Sequence, residues 1–150
     1  MDGLSKARLL ALLIPAGLLG GAYISQYGFG LYPCEMCWWQ RYPHFAAIPL
    51  ALASYAVRPA RVWVALAGLA IITSGLIGGF HAGVEYGWWE GITGCSKLPG
   101  EIDVMDVSAA PLVRCDVAPW DLFGISLAGW NFLISCLGGA AVVALAAYKK

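Results

Sequence analysis

The sequence predicts an all-α membrane protein, a bundle of four transmembrane helices with a long outer loop between the third and the fourth. Hydrophobic residues make up 60% of the chain and charged residues only 12%, whereas soluble domains average about 45–50% and about 25%. Long apolar runs recur along the chain, separated by polar turns. The formal net charge is zero, which argues against nucleic acid as a partner.

The first two spans are predicted at residues 9–27 and 35–57. A helix needs about 20 residues to cross a bilayer. A cleaved signal peptide is the alternative for the first run, with a possible cleavage context at residues 20–22, although its apolar core would be shorter, about 7–15 residues. Pro43 and Pro49 are expected to kink the second span.

The third and fourth spans are predicted at residues 62–80 and 123–148, and residues 81–121 form the outer loop between them. The third run is rich in glycine, which favours close helix packing in a membrane. All four spans together make one integral membrane domain over residues 1–150.

Lysine and arginine residues orient this bundle. Six of them fall on one side: Lys6, Arg8, Arg58, Arg61, Lys149 and Lys150. Three fall on the other: Arg41, Lys97 and Arg114. The positive-inside rule therefore predicts that both termini are cytoplasmic. In a bacterial inner membrane the opposite side is the periplasm, where disulfides form and persist.

A Cys-x-x-Cys pair, Cys34 and Cys37, opens the second span on that outer side. Such a pair can close a disulfide or bind a metal. Unpaired N–H groups in the first turn of a helix favour a thiolate, and Arg41, one turn after Cys37, adds a fixed positive charge. A plain disulfide clip is the alternative for this pair taken alone.

A second pair of cysteines, Cys95 and Cys115, lies in the outer loop. A mobile pair can exchange disulfides with a soluble partner and pass its electrons to the fixed pair at the membrane edge. The fixed pair must then pass two electrons to an acceptor in the membrane. The sequence lacks the Cys-x-x-Cys-His motif that would indicate a covalently attached haem. Too few cysteines lie together for an iron–sulfur cluster. A lipid-soluble quinone suits this location.

These motifs resemble the DsbB family, disulfide bond formation protein B. The resemblance rests on Pro-Cys-x-x-Cys-x-x-Gln-Arg at residues 33–41, on the loop pair, and on Pro-Trp-Asp at residues 119–121 before the fourth span, with Gly124, Gly129, Trp130 and Asn131 following. It covers essentially the whole chain. It implies an inner-membrane thiol:quinone oxidoreductase that reoxidises a periplasmic DsbA-like oxidase of the thioredoxin fold, with ubiquinone or menaquinone as the electron acceptor.

The resemblance also implies roles for individual residues. Cys34 and Cys37 are the quinone-coupled pair, Cys37 is the thiol nearest the quinone, and Arg41 helps hold the quinone and the Cys37 thiolate. Cys95 and Cys115 are the pair that exchanges with the partner, and Cys95 is the implied site of the mixed disulfide. Glu35 departs from the family's usual pattern, in which both middle residues of the motif are apolar.

Two histidines are further candidates. His81 ends the third span and is expected to face the Cys-x-x-Cys pair, where it can contact the quinone or assist proton movement; a histidine that simply reaches water is the alternative. His44 lies deeper on the face that carries Cys37. Gln40 is expected to act as an interfacial cap, with a hydrogen bond to the quinone as the alternative, and Cys136 is expected to be a buried, inert thiol.

Three other classes of protein compete with this interpretation, and we expect no metal site. A soft-metal-binding membrane protein would use Cys34, Cys37, Cys95 and His81 as ligands for zinc or Cu(I). A thiol–quinone enzyme similar to the vitamin K epoxide reductase family would carry its motif near the end of the bundle. In a non-catalytic helper, the cysteines would only brace the loop.

Overall fold

The computed structural model of the chain describes residues 2–93 and 113–148. Four helices run along it: α1 (Gly3–Gly28), α2 (Glu35–Ala56), α3 (Ala60–Glu85) and α4 (Leu127–Ala147). A short antiparallel hairpin, β1 (Asp121–Leu122) with β2 (Ile125–Ser126), leads into α4. Cys95, Lys97, Lys149 and Lys150 lie outside the described residues.

Three of these helices, α1, α3 and α4, are long and apolar enough to cross a membrane. The remaining helix, α2, has 22 residues and runs without a break through Pro43 and Pro49, but its composition is less apolar. Buried polar side chains account for the difference, among them Gln40, Arg41 and His44. The structure therefore shows a mostly helical protein with three candidate spans, where the sequence predicted four.

Small residues let α3 and α4 approach closely. A Cβ atom added to Gly68 would lie 2.8 Å from Cγ2 of Val143, and one added to Gly139 would lie 2.9 Å from the carbonyl oxygen of Gly68. Glycine at such contacts is typical of helices that pack inside a bilayer. The neighbouring core is made mainly of small side chains: Ala7, Ala11, Ala51, Val64, Ala67, Val142 and Ala146.

Arginines join the helices at the end of the bundle away from the Cys-x-x-Cys pair. Nη1 of Arg61, near the start of α3, donates to the carbonyl oxygens of Ala146 and Tyr148 at the end of α4, at 2.8 and 2.7 Å. Nε of Arg8, near the start of α1, donates to Oγ of Ser54 near the end of α2 at 3.1 Å. The starts of α1 and α3 and the ends of α2 and α4 therefore share one end of the bundle.

Candidate redox-active site

The Cys-x-x-Cys pair lies at the opposite end, where α2 begins. Cys34 is the N-cap of α2, and its Sγ accepts a hydrogen bond from the backbone N–H of Cys37 at 3.3 Å. The two sulfurs are 2.9 Å apart and both thiols are free. A sulfur at an N-cap takes the place of the oxygen that usually satisfies the first N–H groups of a helix, and that position favours negative charge.

His81 reaches the pair from α3. Its side chain is only 2% exposed, and its Nε2 lies 3.6 Å from Sγ of Cys34 and 3.2 Å from the carbonyl oxygen of Cys115. The structure thus brings together residues that are 47 positions apart in the chain. His81 faces the Cys-x-x-Cys pair, and its contact with a quinone stays a prediction.

Hydrogen-bond donors converge on the sulfur of Cys34. The thiol of Cys37 lowers the pKa of the Cys34 thiol, burial opposes this shift, and His81 adds to the lowering. The sequence predicts a thiolate at Cys37, because Arg41 lies on the same helix face. The structure instead favours it at Cys34, because the N-cap position and His81 both face that sulfur.

Arg41 is buried against α1. Its side chain is 6% exposed, and Nη1 donates to Oε1 of Gln26 at 2.8 Å. Nη2 donates to the carbonyl oxygen of Ala22 at 3.4 Å. The guanidinium also lies over the rings of Tyr23 and Trp38, 4.9 and 4.8 Å from their centroids. These contacts hold a permanent positive charge in a fixed orientation at the start of α2.

Arg41 lines a mostly apolar cavity of about 240 Å³ to which all four helices contribute. The polar side chains in its wall include Cys37, Gln40, His44, His81, Glu85 and Asn131. A neighbouring groove of about 410 Å³ opens beside Tyr32 and Arg114. Cys37 borders both spaces, whereas Cys34 borders only the groove. The pair therefore lies between the groove, which residues 113–117 help to line, and the cavity, which the helices line.

A buried polar network extends from His81 towards the middle of the bundle. Nε2 of Gln40 lies 2.8 Å from Nδ1 of His81, and Oε1 of Gln40 accepts from Nδ2 of Asn131 at 2.9 Å. Oδ1 of Asn131 is 3.1 Å from Nε2 of His44 and accepts from Oγ of Ser135 at 2.8 Å. Gln40 is 7% exposed, so its expected role as an interfacial cap is wrong. Its amide belongs to the interior of the site.

Two buried atoms beside the cavity have no hydrogen-bond partner within residues 2–93 and 113–148: Nδ1 of His44 and Oε2 of Glu85. The side chain of Glu85 is 3% exposed, and its Oε1 lies 3.8 Å from Nε2 of His81. An unpaired buried polar atom costs about 1–3 kcal/mol, so such atoms mark a functional region. Sequence reasoning missed Glu85, although an acidic residue one helical turn after His81 was a usable signal.

Cys115 lies against the Cys-x-x-Cys pair. It is disulfide-bonded and fully buried, in a cluster with Cys34, Met36 and Val84. Oγ1 of Thr93 lies 3.4 Å from its sulfur. The structure therefore brings one cysteine of the outer loop next to the fixed pair. Cys95 is outside the described residues, so its pairing with Cys115 stays a prediction.

Three side chains of the site have the composition of a soft-metal site. The Sγ atoms of Cys34 and Cys37 and a ring nitrogen of His81 all lie within 4.8 Å of one another. Thiolate and imidazole ligands suit zinc or Cu(I). The fourth ligand that the metal alternative named, Cys95, lies outside the described residues. The arrangement can thus hold two thiols for disulfide chemistry or a metal ion.

Comparisons with known proteins point to one family. A family model described as "Disulfide bond formation protein DsbB" matches residues 5–146. The chain is 33% identical over 153 aligned positions to a protein of Verminephrobacter eiseniae named "Disulfide bond formation protein B", with 93% of this chain and 83% of the relative covered. A protein of the same name from Aromatoleum aromaticum is 29% identical over 155 positions, with 94% and 90% covered. An uncharacterised protein of Rickettsia prowazekii is 25% identical over 145 positions, with 91% and 84% covered. No solved structure matches this chain.

Proposed function

The chain belongs to the DsbB family, and from this premise we propose that it is an inner-membrane thiol:quinone oxidoreductase. It reoxidises a periplasmic DsbA-like dithiol oxidase and passes the electrons through two cysteine pairs to a membrane quinone. The family and its named relatives identify a multi-pass membrane protein of disulfide bond formation. The reaction, the quinone, the soluble partner and the inner-membrane location are the proposal.

One observation carries this proposal: Cys37 borders both the groove and the cavity. Electrons that enter the pair from a thiol in the groove can leave it towards an acceptor in the cavity without any movement of α2. Cys34, with its stabilised negative charge, is the sulfur on the groove side. Cys37 is the sulfur on the cavity side, in keeping with its implied place nearest the quinone.

The thiol steps balance as two disulfide exchanges. The reduced partner dithiol attacks the Cys95–Cys115 disulfide, Cys95 forms the mixed disulfide, and the partner leaves oxidised while both loop cysteines become thiols. The loop dithiol then reduces a Cys34–Cys37 disulfide in the same way. Each exchange breaks one S–S bond and forms one, and it moves two electrons and two protons. When the Cys34–Cys37 disulfide forms again, the two electrons and two protons pass to the acceptor.

The cavity fits a quinone ring. It is mostly apolar and carries a few fixed polar groups, as cofactor sites do, and the Nδ1 atom of His44 beside it lacks a partner among the described residues. Ubiquinone or menaquinone, if bound there, would supply the acceptor for two electrons and two protons. Arg41 offers fixed donors and a positive charge to a ring oxygen. His81 lines the same cavity.

We place all four helices across the membrane, including α2. Its polar residues Gln40, Arg41 and His44 are buried inside the bundle, where ionisable groups within membranes are normally found. Its exposed face carries Phe45, Leu52 and other apolar or aromatic side chains. The low hydropathy of α2 therefore reflects residues that build the site and leaves the lipid-facing surface apolar.

We expect both termini to be cytoplasmic and both cysteine pairs periplasmic. Arg8 and Arg61 lie at the end of the bundle away from Cys34, and the positive-inside rule directs that end to the cytoplasm. A phosphatase reporter fused after Lys150 should be inactive, and the same reporter in the outer loop should be active. A periplasmic reporter after Lys150 would overturn this orientation.

The proposed function is tested by mixing purified protein, a reduced thioredoxin-fold oxidase and a soluble quinone analogue. We expect the loss of two thiols for each quinol formed. A non-catalytic helper would leave both quantities unchanged.

A soft-metal site is the second candidate, because the ligand atoms of Cys34, Cys37 and His81 are clustered. Metal analysis of anaerobically purified protein separates the two functions. Stoichiometric zinc or copper that survives dialysis, together with no quinone reduction, would favour the metal site.

Replacing Cys136 with alanine should leave turnover within about tenfold of wild type, which is about 1.4 kcal/mol of barrier. Cys136 packs against α3 at Gly75, where an added Cβ would lie 2.7 Å from its sulfur. Gly75 is about 9 Å along α3 from His81, at about 1.5 Å per residue. Steady-state quinol formation measures the effect, and a larger loss would show that this thiol takes part in the chemistry.

A further inference from the structure

The side-chain amide of Gln40 has only one orientation that satisfies its neighbours. Its Nε2 donates to the carbonyl oxygen of Met36 at 3.2 Å, and its Oε1 accepts from Nδ2 of Asn131 at 2.9 Å. Asn131 is fixed in turn, because its Nδ2 also donates to the carbonyl oxygen of Ser74 at 3.2 Å. The Nε2 atom of Gln40 therefore points its second N–H at His81.

This orientation decides where the His81 ring carries its proton. Nδ1 of His81 lies 2.8 Å from Nε2 of Gln40. Since an amide nitrogen can only donate, Nδ1 must accept, and a neutral ring then carries its proton on Nε2. The atoms around Nε2 agree, because each of them can accept and the carbonyl oxygen can do nothing else. They are Sγ of Cys34 at 3.6 Å, the carbonyl oxygen of Cys115 at 3.2 Å and Oε1 of Glu85 at 3.8 Å.

We propose that Gln40 is a positioning residue that holds His81 as the Nε2–H tautomer, so that the ring donates a hydrogen bond to the sulfur of Cys34. This inference rests on the proposed function and deepens it. When a thiol opens the Cys34–Cys37 disulfide, the leaving sulfur becomes a thiolate, and a donor already aimed at that sulfur stabilises it. The opposite tautomer would aim a lone pair at the same charge.

Other groups face Cys34 as well, and the test must separate them from His81. Cys37 on α2 and Glu85 on α3 are close to it, and Arg114 and Tyr32 line the same groove. Changing Gln40 leaves all four groups in place. Gln40 reaches this region through the His81 ring and through the carbonyl oxygen of Met36, so a measurement on the ring itself is needed to separate the two.

Nitrogen-15 NMR of the histidine rings in detergent-solubilised, reduced protein reads the tautomer directly. Wild type should show His81 with its proton on Nε2 and a bare Nδ1. Gln40→Glu keeps the shape and, once ionised, supplies only acceptors, so Nδ1 of His81 should become protonated at a pH at which the carboxylate is charged. Ser74→Ala is the matched control, because Oγ of Ser74 contacts the backbone carbonyl of Gln40 and the amide of Asn131 but not the His81 ring. Asn131 keeps its bond to the carbonyl oxygen of residue 74 in this variant, so the wild-type tautomer should remain. A wild-type ring protonated on Nδ1, or unchanged His81 signals in Gln40→Glu, overturns the inference.

A second variant gives a chemical readout. Gln40→Met removes the donor without adding charge, so the tautomer is no longer fixed. The pH midpoint for alkylation of Cys34, followed by mass spectrometry, should rise by about one pH unit, which is about a tenfold slower reaction at pH values below both midpoints. An unchanged midpoint contradicts the inference.

Neither measurement uses a quinone or a soluble partner. Failure of the wild-type protein to reduce quinone would therefore contradict only the proposed function. Unchanged His81 signals in Gln40→Glu would contradict only this inference.

Discussion

Replacing Cys37 with serine is expected to abolish quinone reduction, with a loss of at least about a thousandfold, or about 4 kcal/mol of barrier. Cys37 is the sulfur that borders both the groove and the cavity. Serine keeps the size and the hydrogen bond to Cys34 but cannot form a disulfide, so the pair can no longer store two electrons. Quinol formation from a reduced thioredoxin-fold partner, followed by absorbance, measures the loss.

The matched control for this variant is Cys136→Ser, which makes the same replacement at a thiol that packs against Gly75. It should keep turnover within about tenfold of wild type. In Cys37→Ser, a single exchange between the partner and the outer-loop pair should still occur. Quinol formation at more than about a tenth of the wild-type rate would mean that electrons reach the quinone by another route.

Replacing Arg41 should raise the apparent KM for quinone in the order Arg, Lys, Met, by about tenfold or more for methionine. The guanidinium is held by Gln26 and Ala22 and lies over the rings of Tyr23 and Trp38. Lysine keeps the charge but loses the planar set of donors, and methionine loses both. Steady-state kinetics with a soluble quinone analogue gives the KM.

A matched control exists at the other end of the same helix pair. Arg8 also joins α1 to α2, through Ser54, and its guanidinium lies 4.5 Å from the centroid of the Tyr55 ring. Arg8→Met should remove contacts between α1 and α2 much as Arg41→Met does, but it should leave the KM for quinone unchanged. Wild-type quinone kinetics in Arg41→Met would refute the role of Arg41. So would a variant that chiefly blocks exchange with the soluble partner, because Arg41 would then organise the outer segment.

Local sequence patterns were sufficient for the helices and for the position of the Cys-x-x-Cys pair. Apolar runs of bilayer length marked α1, α3 and α4, and the motif itself marked the first turn of α2. The position of Cys34 as N-cap was not anticipated, because it depends on which of two neighbouring residues first adopts helical backbone angles. That single position moves the favoured thiolate from Cys37 to Cys34.

The polar network could not be predicted from sequence spacing. Gln40 meets His81 and Asn131 across 41 and 91 positions, so no helical periodicity connects them. Inside a membrane such groups must find partners on other helices, and only the packing of α2, α3 and α4 decides which ones. The same packing allows α2 to carry more polar residues than its neighbours, because those residues are buried inside the bundle.

The His81 tautomer that Gln40 holds favours disulfide chemistry over the metal alternative. A histidine ligand binds a metal through a bare ring nitrogen, and its other nitrogen usually donates to an acceptor. Here Gln40 donates to Nδ1, which leaves the proton on Nε2, the atom nearest Cys34. A metal at this position would require the Gln40 amide to turn away from Met36 and Asn131. The geometry suits a donor to a thiolate better than a metal ligand.

The central claim is that electrons leave the protein from the Cys34–Cys37 pair to a quinone. Its most direct test is a single turnover: fully reduced protein is mixed anaerobically with a limiting amount of quinone analogue, quenched by alkylation, and mapped by mass spectrometry. We expect one Cys34–Cys37 disulfide for each quinol formed in the first phase, with oxidation of Cys95 and Cys115 following. Quinol formation while Cys34 and Cys37 remain fully alkylated, or no quinol at all, would contradict it.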